Sequence, residues 1–424
     1  MSPIRSLVAT LLLLLPFAAA AEPPEADPVI GWARVEFDAN GITRAEAGGY
    51  ADLATLREMT VDDPVRVASV SKLVVALGVL RLAEAGALDL DEDVSTYLGW
   101  NLRNPAFPDA PITLRQLLGH RSGIRDDAGY ALPLDADLET WLTQEGAWNA
   151  EHEPGEWFSY ANLNFPVVAA VMEGATGERF DRIMQVQVFE PLDLDACFNW
   201  TTCSEDARAR AVVLYEPDGT AIRDTQDFIA AGCPATRASD GSCDLSTYVL
   251  ARNGAAFSPQ GGLRISARDL ARIGVFFYRQ GAALFEFLPL RPDGATIIPP
   301  SYPGFTANDD SEGGLYCQYE IALQILPTPI EGCHDDLFGN LYAIEMWRPS
   351  YEGHSGEAYG LRSGIWLGPE DIGDINGNWG VAYFATGLPE EGGLPGNSAF
   401  TAIEERLAQG LPVETVVPEG ATDE

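Results

Sequence analysis

The segment from Ser69 to Ala85 limits the fold more than any other part of the sequence. It predicts a helix that ends at Gly86, and apolar residues occupy nearly every face of it from Leu73 to Leu82. A helix that lacks a polar face is buried inside a larger protein. The segment nevertheless contains Lys72, the only lysine among the 26 basic residues of the chain. Because a charged amine is costly to bury, this helix predicts a lysine with an unusual chemical role.

Ser69 stands three residues before Lys72, and positions i and i+3 share one face of a helix. Desolvation favours the neutral amine, which can accept a proton from a neighbouring hydroxyl group. A serine beside such an amine is an activated nucleophile. At the helix N-terminus, the N–H group of Ser69 can also point at a developing oxyanion. The structural alternative is a capping serine followed by a lysine that reaches solvent.

Two further motifs contain residues suited to catalysis. Tyr160-Ala161-Asn162 precedes a predicted helix, and a tyrosine near a cation can relay protons while an amide orients a lysine or a substrate. His354-Ser355-Gly356 precedes a predicted strand. There, glycine permits close approach of a substrate backbone, and a cationic or hydrogen-bonding histidine can bind an anion or support Tyr160. Each motif taken alone also fits a purely structural role, as a buried tyrosine with a capping asparagine or as a glycine-rich turn.

Length, charge and the N-terminal residues limit the class of protein. The 424 residues suffice for two cores, or for one domain with a large insertion. The formal charge of −37 argues against nucleic acid and anionic membranes as partners. Arg5, the apolar run 8–17 and the alanines at 18–21 predict a signal peptide over residues 1–21. No later run is long enough to span a membrane. We therefore expect an exported protein, periplasmic or secreted, without membrane insertion after signal removal.

Six cysteines follow the predicted signal peptide in three close pairs, Cys197 and Cys203, Cys233 and Cys243, and Cys317 and Cys333. An even number of cysteines in an exported chain indicates disulfides. Six cysteines allow 15 connectivities, and the nearest-neighbour pattern is favoured because each pair brackets a turn-rich segment. Metal binding is the weaker interpretation, since there is no Cys-x-x-Cys motif and no histidine at ligand spacing.

Strand patterns lie near both ends of the chain, and helical patterns fill the middle. This order predicts an α+β fold in which one antiparallel sheet is built from both ends and a mainly helical region is inserted. The predicted division is a signal peptide over 1–21, a discontinuous sheet domain over 22–97 and 255–412, a mainly helical domain over 98–254, and a flexible tail over 413–424. The segment 281–351 is rich in proline and glycine, and its role is left open.

The order and spacing of the three motifs resemble the serine β-lactamase and penicillin-binding superfamily, whose first motif is Ser-x-x-Lys. The chain is most similar to the branch of class C β-lactamases, D-Ala-D-Ala carboxypeptidases, D-aminopeptidases and related esterases. That branch has Tyr-x-Asn second and Lys-Thr-Gly or His-x-Gly third. Flanking segments also look like family landmarks, namely 48–53 (GGYADL), 66–72 (RVASVSK), 112–124 (ITLRQLLGHRSGI) and 258–263 (SPQGGL). The resemblance covers roughly residues 29–388.

The resemblance implies a β-lactamase/transpeptidase-like fold and a role for each motif residue. Ser69 would form the acyl-enzyme, Lys72 and Tyr160 would share the acid and base work, and Asn162 would orient. The N–H groups of Ser69 and Glu357 would form the oxyanion hole, beside the third motif of His354, Ser355 and Gly356. His120, in the 112–124 landmark, is interpreted as structural. No metal or cofactor is implied, and the substrate would be a small molecule or a short peptide or ester.

Departures from the family pattern shape the expected activity. His-Ser-Gly stands where efficient β-lactamases have Lys-Thr-Gly, and Glu357 follows it, so we expect carboxylate-bearing substrates to be disfavoured. The expected function is hydrolysis of amide or ester bonds through an acyl-enzyme on Ser69. The alternatives are a β-lactamase or D-Ala-D-Ala carboxypeptidase proper and a non-catalytic binding protein on the same scaffold. Because Ser69, Lys72 and Tyr160 are all present, the binding-protein alternative is the weaker one.

Overall fold

A computed structural model describes residues 24–233, 236–285, 314–328, 331–339, 351–368, 379–390 and 392–419. The predicted signal peptide at 1–21 lies outside these residues, as do 420–424 of the predicted tail. A search of the described helices for one with the length and hydropathy of a membrane span finds none.

The described secondary structure alternates strands and helices, and its longest element is the 19-residue helix at 267–285. The strands are β1 (Gly31–Asp38), β2 (Gly41–Asp52), β3 (Arg57–Glu58), β4 (Val65–Arg66), β5 (Cys197–Phe198), β6 (Leu214–Tyr215), β7 (Ala221–Arg223), β8 (Leu263–Ile265), β9 (Tyr319–Glu320), β10 (Leu323–Leu326), β11 (Tyr351–Ala358), β12 (Leu361–Leu367) and β13 (Gly380–Thr386). The α-helices are α1 (Val70–Glu84), α2 (Ser95–Leu98), α3 (Leu114–Leu118), α4 (Leu138–Trp141), α5 (Asn164–Thr176), α6 (Phe180–Met184), α7 (Glu205–Ala209), α8 (Gln226–Ala230), α9 (Ala267–Phe285) and α10 (Ala402–Gln409).

The main sheet joins the two ends of the chain. Within the described residues it contains eight strands in the order β3-β2-β1-β13-β12-β11-β10-β9, and its neighbouring strands are antiparallel. The two ends of the chain meet where β1 pairs with β13, with Gly31 opposite Thr386. At the β1–β2 turn, Asp38 Oδ1 accepts hydrogen bonds from the N–H groups of Asn40 and Gly41. The predicted α+β fold, with one antiparallel sheet from both ends of the chain, is confirmed.

Helices cover both faces of this sheet. In β13, Ala382 and Phe384 belong to the core cluster that contains α1 and α9 residues. Val381 and Tyr383 belong to a second cluster with residues of α10. Since successive side chains of a strand point to opposite faces, α1 and α9 lie on one face and α10 lies on the other. The α1 cluster continues into α3 and α5 of the helical region, so α1 lies between the sheet and that region.

Helix α1 has the burial that its sequence predicts. Ser69 occupies its N-cap position, and Gly86 follows the helix in a left-handed conformation with φ 72°. Ser71 and Lys72 are fully buried along with most of the apolar residues of the helix. The helix contacts β11, which contains the third motif, and the next strand, β12. The first and third motifs of the sequence therefore meet at one place.

The three disulfides join Cys197 to Cys203, Cys233 to Cys243, and Cys317 to Cys333. The predicted nearest-neighbour pairing is confirmed. The last of them lies in the segment whose role the sequence left open. That segment contributes β9 and β10, which extend the main sheet beyond β11.

Two features of local structure go beyond what the sequence indicated. His354-Ser355-Gly356 precedes β12, as predicted, but it also lies within a strand of its own, β11, and the turn between the two comes at Tyr359 and Gly360, both with positive φ. The predicted flexible tail is partly ordered. Val29 donates to Glu414 O at 3.0 Å and accepts from Val416 N at 2.9 Å, which adds a parallel bridge beside β1. The acidic composition of the tail does not prevent this pairing, because backbone groups make the bonds.

Glu173 of α5 is a fully buried carboxyl group in the helical region. Its oxygens accept hydrogen bonds from the N–H groups of Phe180 and Ala251, both at 2.9 Å. Tyr248 Oη lies 2.7 and 2.8 Å from the two carboxyl oxygens and 3.0 Å from Asn253 O. A phenol has one hydrogen, so Tyr248 can donate to Asn253 O while a protonated Glu173 donates to Tyr248. Burial raises the pKa of Glu173 to about 7, which agrees with this proton arrangement.

Stability should therefore fall between pH 5.5 and 8.5. Burial likewise raises the pKa of Glu320 to about 7 and that of Asp335 to about 6. A group whose pKa is higher in the folded state stabilises the fold below its unfolded pKa and loses that contribution as the pH rises through the folded value. For Glu173 the full contribution is on the order of 3 kcal/mol. The lowered pKa values of the buried His120 and His354 act in the opposite direction as the pH rises through about 6.5. Because the three carboxyl groups outweigh the two histidines, we expect the urea midpoint of unfolding to be higher at pH 5.5 than at pH 8.5.

The variant Glu173→Gln should have a smaller difference between the two midpoints, because it removes one titrating group. Glu178→Gln, at an exposed position nearby, is the matched control and should keep the wild-type difference. A midpoint that is constant or increases with pH in the wild-type protein would contradict this account.

Candidate active site

Ser69 lies where α1 begins, next to the edge of β11. The preceding residue, Ala68, has φ 44°, an uncommon conformation for a non-glycine residue and one that clusters at functional sites. Ser69 Oγ lies 2.9 Å from Lys72 Nζ, as the i, i+3 spacing predicts. The backbone N–H of Ser69 belongs to the first turn of the helix, where N–H groups lack intrahelical acceptors. The serine thus has an amine on its hydroxyl side and the positive end of a helix at its backbone.

Lys72 connects three separate parts of the chain. Its Nζ atom lies 2.9 Å from Ser69 Oγ, 2.8 Å from Asn162 Oδ1 and 2.9 Å from Gln260 O. The amide and carbonyl oxygens only accept, so Lys72 donates to both of them. The third contact then serves either proton state, because an ammonium can donate to Ser69 Oγ and a neutral amine can accept from its O–H. A proton can therefore move between Ser69 and Lys72 while the other two bonds stay in place.

Asp126 determines the direction of the Asn162 amide. The Asp126 carboxylate accepts from Asn162 N at 2.8 Å, Asn162 Nδ2 at 2.9 Å and Leu163 N at 2.9 Å. With Nδ2 held by a carboxylate, the amide oxygen is directed to Lys72. The predicted orienting role of Asn162 thus has a structural basis in a residue that the sequence analysis missed. An aspartate in a loop carries no sequence signal that would distinguish it from the many other acidic residues of this chain.

Tyr160 lies between two rings that hold its plane. The ring of His120 stacks on it at a centroid distance of 4.2 Å, and that of Tyr316 stacks at 4.5 Å with an interplanar angle of 11°. Tyr319 meets its edge at 6.1 Å, and Lys72 Nζ lies 4.9 Å from the ring centroid. Tyr316 and Tyr319 belong to the segment 281–351, whose role the sequence analysis left open. The tyrosine of the second motif is therefore oriented partly by the disulfide-bonded 317–333 region.

His120 is buried, and its ring has a defined tautomer. Nδ1 accepts from Ala161 N at 3.1 Å and lies 3.1 Å from Asn164 Nδ2, so the ring hydrogen is on Nε2. Burial lowers the pKa of His120 well below 6.5, and repulsion from the Lys72 amine lowers it further. Its hydrogen bond to the backbone of the second motif agrees with the structural role predicted for it.

His354 is buried and neutral at physiological pH. Tyr319 Oη lies 2.8 Å from Nε2, and Nδ1 lies 2.5 Å from Ser355 O. The carbonyl can only accept, so Nδ1 donates to it and Nε2 accepts from the tyrosine hydroxyl. Burial, followed by the charge of Lys72, lowers the pKa of His354 to about 3. Of the two roles that the sequence left open, a cationic histidine and a hydrogen-bonding one, this geometry fits the hydrogen-bonding role.

The remaining third-motif residues point to alternate faces of β11. Ser355 directs its hydroxyl to Gln324 Oε1 at 3.0 Å, and it is not among the residues that line the cleft. Gly356 faces α1 so closely that a Cβ atom there would lie 3.0 Å from Ser69 N and 2.5 Å from Val67 O. The missing side chain allows β11 to approach the nucleophile. It leaves the N–H groups of Ser69 and Glu357 as the candidate oxyanion hole, which stays a prediction.

The side chain of Glu357 does not act as the sequence analysis expected. Strand alternation turns it away from the face that Gly356 presents to Ser69. Its Oε1 atom pairs with Arg362 at 2.8 Å, and Arg362 also donates to Gly392 O at 3.1 Å. The residue borders the cleft, but its carboxylate has a cationic partner. The expectation that this acid repels substrate carboxylates is therefore not supported.

A cavity of about 720 Å³ opens beside Ser69 and is lined by Asn162 and Gln260 near the nucleophile. In the part of the chain that the structure describes, no group of three or more His, Cys, Asp or Glu side chains could hold a metal ion. Gln260 lies in the 258–263 landmark, yet its contact with Lys72 is made by a backbone carbonyl. Any residue offers that group, so the sequence could not indicate this role.

Comparison with known proteins identifies the family. The family model for beta-lactamases matches residues 25–403. The chain is 28% identical over 179 residues to the D-alanyl-D-alanine-carboxypeptidase/endopeptidase AmpH of Escherichia coli (strain K12), covering 41% of this chain and 45% of that protein. It is 32% identical over 166 residues to esterase EstB of Burkholderia gladioli, covering 36% of this chain and 42% of that protein. The chain thus spans less than half the length of these curated relatives.

A solved structure supports the same assignment at the level of the fold. The beta-lactamase/D-alanine carboxypeptidase from Yersinia pestis, in complex with citrate, matches with a TM-score of 0.58 and 15% identity, covering 90% of this chain and 92% of that one. At that identity the likeness shows the fold alone. The family model covers most of the sequence, and the three motifs meet around Ser69. This chain therefore belongs to the β-lactamase family.

Proposed function

We propose that this protein is an exported serine hydrolase that cleaves amide or ester bonds through an acyl-enzyme on Ser69. The observation that carries the proposal is the contact of the buried Lys72 amine with Ser69 Oγ, at 2.9 Å, while Asn162 and Gln260 hold the same amine. A nucleophile within hydrogen-bond distance of a base that other groups orient is the arrangement covalent catalysis requires. The three disulfides support export, because such bonds persist in oxidising compartments.

In the proposed reaction, Ser69 Oγ attacks the substrate carbonyl carbon and its proton moves to the Lys72 amine. The negative charge that develops on the carbonyl oxygen is stabilised by the N–H groups of Ser69 and Glu357. The carbonyl–leaving-group bond then breaks, and the leaving amine or alcohol takes a proton delivered by Lys72 through the Tyr160 hydroxyl. Water then attacks the acyl-enzyme in the same way as the serine hydroxyl attacked the substrate. This step releases the acid and restores Ser69.

The identity of the third motif favours a peptidase or esterase over a β-lactamase. His354 is neutral and buried, so it does not supply the cation that Lys-Thr-Gly provides in the family branch. Relatives named as a carboxypeptidase/endopeptidase and as an esterase agree with this preference. Hydrolysis of an activated ester, compared with that of a chromogenic β-lactam, tests it. Faster turnover of the β-lactam would favour the second candidate, a β-lactamase or D-Ala-D-Ala carboxypeptidase proper.

The nucleophile can be tested by covalent labelling. A fluorophosphonate should add once to the folded protein, and peptide mapping by mass spectrometry should locate the adduct on Ser69. Ser69→Ala should abolish labelling, because it removes the attacking oxygen. Ser246→Ala changes an exposed serine and should label like the wild-type protein. An adduct that persists in Ser69→Ala would refute the assignment.

Tyr160→Phe should lower kcat for an ester substrate by about 100-fold or more, the usual scale for loss of a general acid or base. The variant removes only the hydroxyl group and keeps the ring between His120 and Tyr316. Labelling of Ser69 by the fluorophosphonate should slow but not disappear, since Lys72 remains. Wild-type turnover by Tyr160→Phe would exclude the hydroxyl from proton transfer.

Tyr316 is expected to act as a positioning residue for Tyr160. Tyr316→Ala should lower kcat about tenfold with KM within about twofold, because loss of the stack allows the Tyr160 ring to move. Tyr316→Phe keeps a ring at the same position and should retain more activity. Circular dichroism and the thermal midpoint serve as folding controls. Equal losses in both variants would show that stacking does not explain the role of Tyr316.

A further inference from the structure

One wall of the cleft is cationic, although the chain as a whole has a formal charge of −37. The cavity that contains Ser69 is also lined by four arginines, Arg66, Arg223, Arg237 and Arg264. Among the described lining residues the one acid is Glu357, and its carboxylate pairs with Arg362. In a chain with 63 acidic and 26 basic residues, four arginines against one paired acid need a physical explanation.

The buried part of this wall contains more guanidinium than carboxylate groups. Asp224 is fully buried and lies 3.5 Å from Arg66 and 3.4 Å from Arg264. One carboxylate therefore faces two arginines, and it also accepts a hydrogen bond from Trp200 Nε1 at 2.6 Å. The Nε atom of Arg264 is buried without a hydrogen-bond partner, and that of Arg66 has only the 3.5 Å contact with Asp224. Burial, followed by repulsion from Arg66, lowers the pKa of Arg264 to about 9.

Arg223 and Arg237 lie closer to the surface of the same cavity. The Arg223 guanidinium lies 4.6 Å from the ring centroid of Tyr359 and 5.0 Å from that of Phe228, and it is half-buried. Arg237 lies within the Cys233–Cys243 disulfide loop and donates to the backbone oxygen of Gly241 at 3.1 Å. Within the described residues neither arginine has a carboxylate at ion-pair distance. These two rings and a 3.3 Å hydrogen bond from Arg223 Nη2 to Tyr359 Oη fix the plane of the guanidinium group. Its remaining N–H groups are able to bind a carboxylate in a bidentate manner.

We propose that Arg223, supported by Arg66, Arg237 and Arg264, forms an anion subsite in the cleft that binds a carboxylate on the substrate. The preferred substrates are then amides or esters that carry a second, ionised carboxylate group. This inference rests on the proposed hydrolase function and names its substrate class. It reverses the expectation drawn from Glu357, because that side chain belongs to the other face of β11. It also locates anion binding at β4, β7, β8 and the Cys233–Cys243 loop, away from the neutral His354.

The test uses two esters that differ by one charge. The mono-4-nitrophenyl ester of adipic acid carries a free carboxylate, and its methyl ester is the neutral isostere. After subtraction of spontaneous hydrolysis, we expect the wild-type kcat/KM to be at least tenfold higher for the anionic ester. Arg223→Gln should lower the ratio of the two values by about tenfold, the scale of one charge-assisted hydrogen bond. Arg44→Gln changes the net charge equally at an exposed position in β2 and should keep the wild-type ratio.

Ionic strength provides a second readout. Because exposed charges are screened by salt, the preference of the wild-type protein for the anionic ester should decline between 0.02 and about 0.5 M NaCl. The ratio for Arg223→Gln should depend less on salt. Arg223→Lys keeps a charge without the planar fork, so we expect it to recover part of the ratio if the subsite is correct. If Arg223→Lys folds but recovers none of this ratio, the role of Arg223 is limited to packing.

The outcomes separate this inference from the function on which it rests. Equal kcat/KM for both esters in the wild-type protein, with measurable hydrolysis, overturns the anion subsite and leaves the hydrolase proposal intact. Hydrolysis of neither ester would count against the hydrolase. In that case calorimetric titration of Ser69→Ala with the same two esters decides the inference. Tighter binding of the anionic ester, lost on adding Arg223→Gln, supports the subsite, and equal binding refutes it.

Discussion

The structure depends on one buried amine. Lys72 sits on a helix whose neighbours are almost all apolar, and its Nζ atom is satisfied by Ser69 at the start of that helix and by groups from two distant parts of the chain. An amine in such a place is tolerated only when these acceptors surround it. The α1 helix, the loop before α5 and the turn before β8 must therefore meet at the same point. The fold and the candidate catalytic centre thus share a single constraint, the solvation of Lys72 by protein oxygens.

A second level of organisation holds the groups around that amine. Asp126 accepts three N–H groups and so turns the Asn162 oxygen toward Lys72. His120 and Tyr316 hold the plane of the Tyr160 ring. None of this support comes from the motif residues themselves. It comes from a loop, from the histidine of the 112–124 landmark and from a disulfide-bonded segment that adds two strands to the sheet. Support from these three places keeps a small set of reactive groups aligned.

Strand alternation decides the electrostatics of the cleft. Gly356 and Glu357 are adjacent in β11 but point to opposite faces of the sheet. Gly356 faces Ser69, and the Glu357 side chain pairs with Arg362 on the other face. The acid of the third motif is thereby removed from the reacting groups, and four arginines line the cavity in a strongly acidic protein. Local charge in a cleft can therefore differ in sign from the net charge of the chain, because fields near low-dielectric walls are set by nearby groups.

The sequence by itself determined the buried α1 helix, the Ser69–Lys72 pair and the α+β order, because each follows from the local pattern of residues. It favoured the disulfide pairing that the structure has without excluding the other connectivities. Only the tertiary structure decided the contacts of Asp126, Tyr316 and Arg223, the burial of His354 and the direction of Glu357. These depend on burial, on strand register and on contacts between residues far apart in sequence. Periodicity and spacing do not encode such contacts, since the same side chain serves many roles until its neighbours are known.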